Sequence, residues 1–251
     1  MKHQELLSPL DNRYSKKIIE LANNFSETNL NKTRFEIEID WIIFLTTKCG
    51  KNFKPLSSAA KKNLLAIRKS FDGKSAKRIK TIESKTNHDV KAVEYFIREE
   101  MNKFSNLKKY QHLVHFALTS EDVNSLSYAV LLRDAKEIYI KKLDILIRDL
   151  NSKSKSWATL PLLAKTHGQA ASPSTIGKEI KVFHQRLLRQ KEMLKKMKPM
   201  AKFGGATGNF HTLNLSDANI NWITKTNKFL SSFKVEQNPI TTQIESHDGI
   251  A

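Results

Sequence analysis

Three short polar words carry the residue types from which proton transfer and anion binding could be built: Thr86-Asn87-His88-Asp89, Thr119-Ser120-Glu121-Asp122 and Thr166-His167-Gly168-Gln169. The first two stand immediately before apolar-periodic segments, which places their hydroxyls and free backbone N–H groups at helix N-termini, where an anion is favoured. Ordinary capping accounts for either word alone, because Ser, Thr and Asp are preferred N-cap residues. His167 is set apart by the glycine that follows it and by its position in a polar break between two long apolar helices. An imidazole that ionises near neutral pH is a natural general acid or base. His184, inside an amphipathic helix, and His3, in the N-terminal stretch, are weaker candidates.

The elements that must position these words read as helices. Leu132, Ala135, Tyr139, Leu143, Leu146 and Leu150 recur every three or four residues along one helix face. Ile176, Ile180, Phe183, Leu187, Leu194 and Met197 do the same, with Pro173 expected in the first turn of that helix. Leu30, Ile37, Trp41 and Leu45 mark an earlier helix, Leu64 and Ile67 a shorter one, and Val90, Val93, Ile97, Met101 and Phe104 another. Core packing is the expected fate of all these stripes. The period breaks over 105–111, which suggests a helical N-terminal domain over 1–108 and the start of a helix bundle over 109–251. The fold class is all-α.

Composition narrows the chemistry. The formal net charge is +18, but only nine of the 43 basic residues are arginine and the lysines are scattered through nearly every helical segment. With no zinc-finger, RNA-recognition or basic-zipper pattern, the charge reads as a solvated surface rather than a nucleic-acid site. The single cysteine, Cys49, cannot form an internal disulfide, and no Cys/His cluster suits zinc. Apolar stretches such as 41–45 are too short to span a membrane, and the first residues lack a signal-peptide pattern, so a cytoplasmic protein is expected. The stretch Phe203-Gly204-Gly205-Ala206-Thr207-Gly208-Asn209-Phe210 lacks the Gly-Lys-Ser/Thr ending of a phosphate loop and reads as a flexible loop near a site.

Taken in order, six words fall in register: Asp11-Asn12-Arg13-Tyr14, Thr86 to Tyr95, His115 to Asp122, Thr166 to Gln169, Pro173 to Glu179 and Thr241-Thr242-Gln243-Ile244-Glu245. The set resembles the bacterial adenylosuccinate lyases of the fumarase and aspartase superfamily, along essentially the whole chain. The resemblance implies elimination of fumarate from adenylosuccinate and from the succinylated aminoimidazole carboxamide ribotide of purine synthesis, with no metal or redox cofactor. It implies His167 as the general acid on the leaving nitrogen and Thr119 and Ser120 as the succinyl-binding pair. Arg13 and Tyr14 match a nucleotide-binding pair, Asn87, His88 and Asp89 a further substrate-binding triplet, and Gln243 a substrate-contacting glutamine; Lys178 and Glu179 match without an assigned role.

The family fold is three helical domains whose central helices build a homotetramer, each active site drawing on three subunits. This chain corresponds to the first domain and the opening helices of the second. The family's serine loop, Ser-Ser-x-Met-Pro-x-Lys-x-Asn-Pro, which carries the general base, has no counterpart here: Ser57-Ser58 and Ser231-Ser232 are followed by unrelated residues. The usual Pro-His-Asp is replaced by Ser246-His247-Asp248-Gly249. The chain is therefore expected to be inactive by itself. The alternatives are a truncated chain that only binds nucleotide or associates with a full-length subunit, and a related argininosuccinate- or aspartate-type lyase.

Overall fold

The computed structural model describes residues 8–50 and 52–248; the readings of His3, Gly249 and Ala251 fall outside them. Two compact units are present, one drawn from residues up to Arg133 and from Lys198 onward, the other from Asp134–Met197.

The first unit is assembled around one helix. After α1 (Ile19–Phe25), α2 runs over Glu27–Lys48, with Ser26 accepting the Asn29 N–H as its N-cap. Its apolar residues lie on every side: Phe35, Ile37, Ile39, Trp41, Ile42 and Leu45 are all buried. A helix apolar all round is one surrounded by others. Around it stand α3 (Ser58–Lys69), α4 (Gly73–Thr86) and α5 (Asp89–Asn102), together with the later α9 (Trp222–Ser232). α4 carries only Ala76, Ile79 and Ile82 as a buried stripe among lysines, too short a pattern to stand out in the sequence, and Asp72 starts it with a capping box. α5 ends at Asn102, so Phe104 belongs to the connection into a 3-10 stretch, Ser105–Leu113, where the helical period breaks.

Trp41 ties this core to the candidate site. Its indole N–H donates to the Phe116 carbonyl (3.0 Å), and its ring meets Phe203 edge-on at 5.0 Å and Phe229 at 5.1 Å. Cys49 is buried nearby in the same core, and burial pushes its thiol up to about 12 despite Lys225, which leaves it no nucleophilic role.

α6 extends over Ser120–Ser156. In the second unit β1 (Pro161–Thr166) pairs antiparallel with β2 (Gln169–Thr175), and α7 (Ile176–Lys196) follows, capped by Thr175. His167 does lie in the break between two long helices, α6 and α7, and there it occupies a two-residue hairpin turn. One expectation is corrected: Pro173 is a strand residue opposite Leu163 rather than a first-turn helical proline. Both turn residues have positive φ, His167 at 51° and Gly168 at 78°, the backbone that a tight hairpin of this handedness requires. A lone two-stranded ribbon has two open edges, so proline costs it no ladder bond on the outer side.

The apolar stripes of this unit are only partly covered. Leu143 and Ile147 are buried, whereas Tyr139, Leu146, Phe183 and Met193 are exposed, and Leu146, Leu150, Phe183, Leu187 and Met193 line an open groove of about 750 Å³. Core packing therefore holds for the stripes of the first unit and fails for part of these.

Chain within the first unit resumes with β3 (Met200–Ala201), α8 (His211–Ser216), α9 and β4 (Glu236–Gln237), where β3 and β4 pair in parallel. No described helix is long and apolar enough to cross a membrane.

Candidate functional site

Asn87, His88 and Asp89 occupy the α4–α5 corner. Asn87 closes α4 in the left-handed conformation (φ 50°), which turns the chain so that His88 becomes the N-cap of α5. His88 Nδ1 accepts the Lys91 N–H (3.2 Å), so the neutral ring carries its proton on Nε2 and presents it as a donor. Asp89 pairs with the buried Arg34 of α2 at 2.7 Å, and Arg34 also donates to Asn31 at 3.1 Å. Partial burial raises the Asp89 pKa, but Arg34, the Val90 N–H and His88 together outweigh it and hold the carboxyl below the usual value. These residues line a polar pocket of about 530 Å³ together with Glu27, Glu83 and Tyr128. Arg34 was not singled out from sequence; an arginine inside an apolar helix is the signal that could have found it.

His115 gained no role from its sequence word. In the structure it has φ 59°, and two residues on Ala117 has φ 58°, an irregular entry into α6 held from below. His115 Nδ1 lies 2.5 Å from Glu38 Oε1 and 3.8 Å from Glu94 Oε1, and Lys91 reaches Glu94 at 2.8 Å. Burial alone would depress the imidazole pKa, yet Glu38 and Glu94 prevail and raise it. Glu38 and Glu94 were not singled out from sequence; acidic residues inside otherwise apolar stripes are the signal that could have found them.

Thr119 and Ser120 open α6. The Thr119 N–H donates to Asp122 Oδ2 (2.8 Å), so this amide is already committed. What the pair offers a ligand is its two hydroxyls, which bond to nothing among the described residues, and the N–H groups of the helix start. Asp122 is fully buried and also accepts from Lys202, Gly204 and Gly205. The first part of the glycine-rich stretch is packed rather than loose: residues 201–205 are buried and bonded to the start of α6, while Ala206, Thr207 and Asn209 are exposed.

Gln243 is exposed on the tail after β4, and next to it Glu245 is buried, accepting from Asn238. His247 Nε2 stands 3.8 Å from Glu121 Oε1, which brings this tail beside the first turn of α6. Arg13 and Tyr14 lie on the exposed 3-10 turns near residues 9–17, with the Arg13 guanidinium over the Tyr14 ring at 5.5 Å. His167 belongs to the second unit, exposed at the hairpin tip. Lys178 and Glu179 pair with each other at 2.7 Å on the surface of α7. The structure thus gathers Asn87, His88 and Asp89 in one pocket and sets His247, on the tail that carries Gln243, near Glu121, the residue after Ser120. No metal-holding group occurs among the described residues.

The scaffold is helical, with the Thr119 and Ser120 hydroxyls at the start of α6 and the Asn87, His88 and Asp89 side chains at the start of α5. The family model described as Lyase matches residues 12–251, and the chain belongs to that family. It is 41% identical over 97% of its length to an adenylosuccinate lyase of Haemophilus influenzae and 39% identical over 98% to one of Escherichia coli K12. It spans about half of each relative, 54% in both cases. Among solved structures, a fumarate lyase from Mesorhizobium aligns with a TM-score of 0.69 at 14% identity, over 92% of this chain and 51% of that one. A 3-carboxy-cis,cis-muconate lactonizing enzyme from Pseudomonas putida gives 0.66 at 17%, over 86% and 47%. These two likenesses are of fold.

Proposed function

We propose that this chain is the adenylosuccinate-binding and acid-supplying part of a lyase that eliminates fumarate from adenylosuccinate, giving AMP, and from succinyl-aminoimidazole carboxamide ribotide. The observation that carries the reading is the 41% identity to an adenylosuccinate lyase over nearly the whole chain. His167 protonates the departing nitrogen while a base takes the proton beside a succinyl carboxylate. The Thr119 and Ser120 hydroxyls meet the charge that builds on that carboxylate. Arg13 and Tyr14 hold phosphate, with a guanidinium fork suited to it. Asn87, His88, Asp89 and Gln243 orient the rest of the nucleotide, His88 through its Nε2 proton. The division into a domain over 1–108 and the opening of a bundle over 109–251, a homotetrameric assembly and a cytoplasmic setting belong to the same reading.

The 251 residues contain no serine loop of the family type, so in this reading the base comes from outside them. The open apolar groove in the second unit favours a second reading: a chain that binds nucleotide or pairs with a longer subunit without turnover. Calorimetric titration with adenylosuccinate, competed by AMP and fumarate, tests the substrate class. Saturable, competed binding is expected; absence of binding at millimolar ligand contradicts it. An absorbance assay for cleavage by chain and longer subunit together then separates the two readings.

A further inference from the structure

One carboxylate joins the start of α6 to the glycine-rich stretch. Asp122 Oδ2 accepts the N–H of Thr119 (2.8 Å) and of Gly205 (3.1 Å). Its Oδ1 accepts Lys202 Nζ (2.6 Å), the Gly204 N–H (3.0 Å) and again Gly205 (3.2 Å). Lys202 Nζ donates onward to the Gly205 carbonyl at 2.7 Å, and its own N–H donates to Ser125 Oγ at 3.0 Å. Both charged side chains are 0% exposed. Burying such a pair is costly and is tolerated only when every donor and acceptor finds a partner.

Helix capping does not require this burial. Asp72 caps α4 through the Lys74 and Ser75 N–H groups with its side chain in solvent. What Asp122 adds is the link to the glycine-rich stretch, which in turn lies against the tail: a Cβ on Gly208 would stand 2.2 Å from the Thr241 carbonyl oxygen. On its other side, a Cβ on Gly205 would stand 3.4 Å from the Ala117 carbonyl oxygen.

We propose that Asp122 and Lys202 are a positioning pair that fixes the Thr119-Ser120 hydroxyls against the glycine-rich stretch and, through it, against the tail carrying Gln243. The three stretches move as one body. The proposal rests on the functional reading only for what those groups bind.

The test is amide hydrogen exchange on the 251-residue chain, comparing wild type with Asp122→Asn/Lys202→Met. The double substitution leaves no orphan buried charge, whereas Asp122→Asn alone strands the buried Lys202 ammonium without its counter-charge; thermal unfolding verifies that the double variant keeps the fold. Exchange should rise roughly tenfold together in 117–121, 203–209 and 241–245, with α5 unchanged. A rise confined to one stretch, or one spread evenly over α5 as well, overturns the proposal. In a parallel arm, adenylosuccinate should slow exchange in 117–121 and 241–245 of wild type and lose its effect on 241–245 in the double variant. Protection of both stretches in the variant also overturns the positioning role. No protection in wild type counts against the functional reading, while the ligand-free comparison decides the positioning pair by itself.

Discussion

Glu38 holds His115 with both of its oxygens, Oε1 2.5 Å from the ring Nδ1 and Oε2 accepting the backbone N–H at 3.0 Å. A buried acid from the central helix thus fixes a left-handed residue at the entry to the Thr119-Ser120 word.

The pair has a pH signature. The His115 pKa is raised in the folded chain, since Glu38 and Glu94 outweigh burial, so its stabilising contribution is complete below the ordinary histidine value of 6.5. It is lost as pH rises through the folded-state value. Thermal unfolding measured between about pH 5.5 and 9 should show wild type losing stability over this range, and Glu38→Gln should lower stability by about 2–4 kcal/mol at the acidic end and flatten the slope. An unchanged slope in Glu38→Gln would show that the pair does not titrate as described.

Arg34 and Asp89 act in the opposite direction. The Asp89 pKa is lowered by Arg34 against the effect of burial, so this contribution is present above the ordinary carboxylate value of 3.8 and disappears as pH falls through the folded-state value. Arg34→Met should move the acid-unfolding midpoint upward in far-UV circular dichroism. A midpoint at or below that of wild type contradicts this role.

Two glycines should respond oppositely to alanine. Gly208 has φ 77° and its Cβ would collide with the Thr241 carbonyl, whereas nothing lies within 4 Å of a Cβ on Gly73 in the first turn of α4. Gly208→Ala should cost about 2–4 kcal/mol in urea unfolding, and Gly73→Ala should be neutral or stabilise by up to about 1 kcal/mol. Equal effects at the two positions would mean that the stretch can yield around Gly208.

The groove of the second unit presents Leu146, Phe183 and Met193 to solvent. In the proposed assembly these faces are covered by other copies or by longer subunits. Sedimentation velocity should find the chain self-associated, and Phe183→Lys/Met193→Lys should shift it toward monomer at unchanged helicity. A wild-type chain that stays monomeric at tens of micromolar, about the range where such faces associate, would contradict it.

Much of the scaffold was legible in sequence because long helices write their buried face in a local period. The stripes around Trp41, Val93, Leu143 and Leu187 each correspond to a helix. The hairpin bearing His167 was not, because both strands are largely exposed and so lack an apolar-polar alternation, leaving only Gly168 as a turn signal. Capping at His88 was readable from its position. The partners that define the site, Asp122 with Lys202, His115 with Glu38 and Asp89 with Arg34, are separated by 80, 77 and more than fifty residues, distances over which a single sequence carries no pairing information.

The central claim is that His167 is the general acid for cleavage of adenylosuccinate. The direct measurement is turnover by mixed oligomers of this chain and a full-length adenylosuccinate lyase whose own general-acid histidine has been replaced. The chain should restore cleavage, and His167→Ala in the chain should lower the restored turnover by roughly 10²–10⁴-fold without loss of folding. Restored turnover that is unchanged by His167→Ala, or an absence of restoration in oligomers shown to contain both chains, would contradict the account.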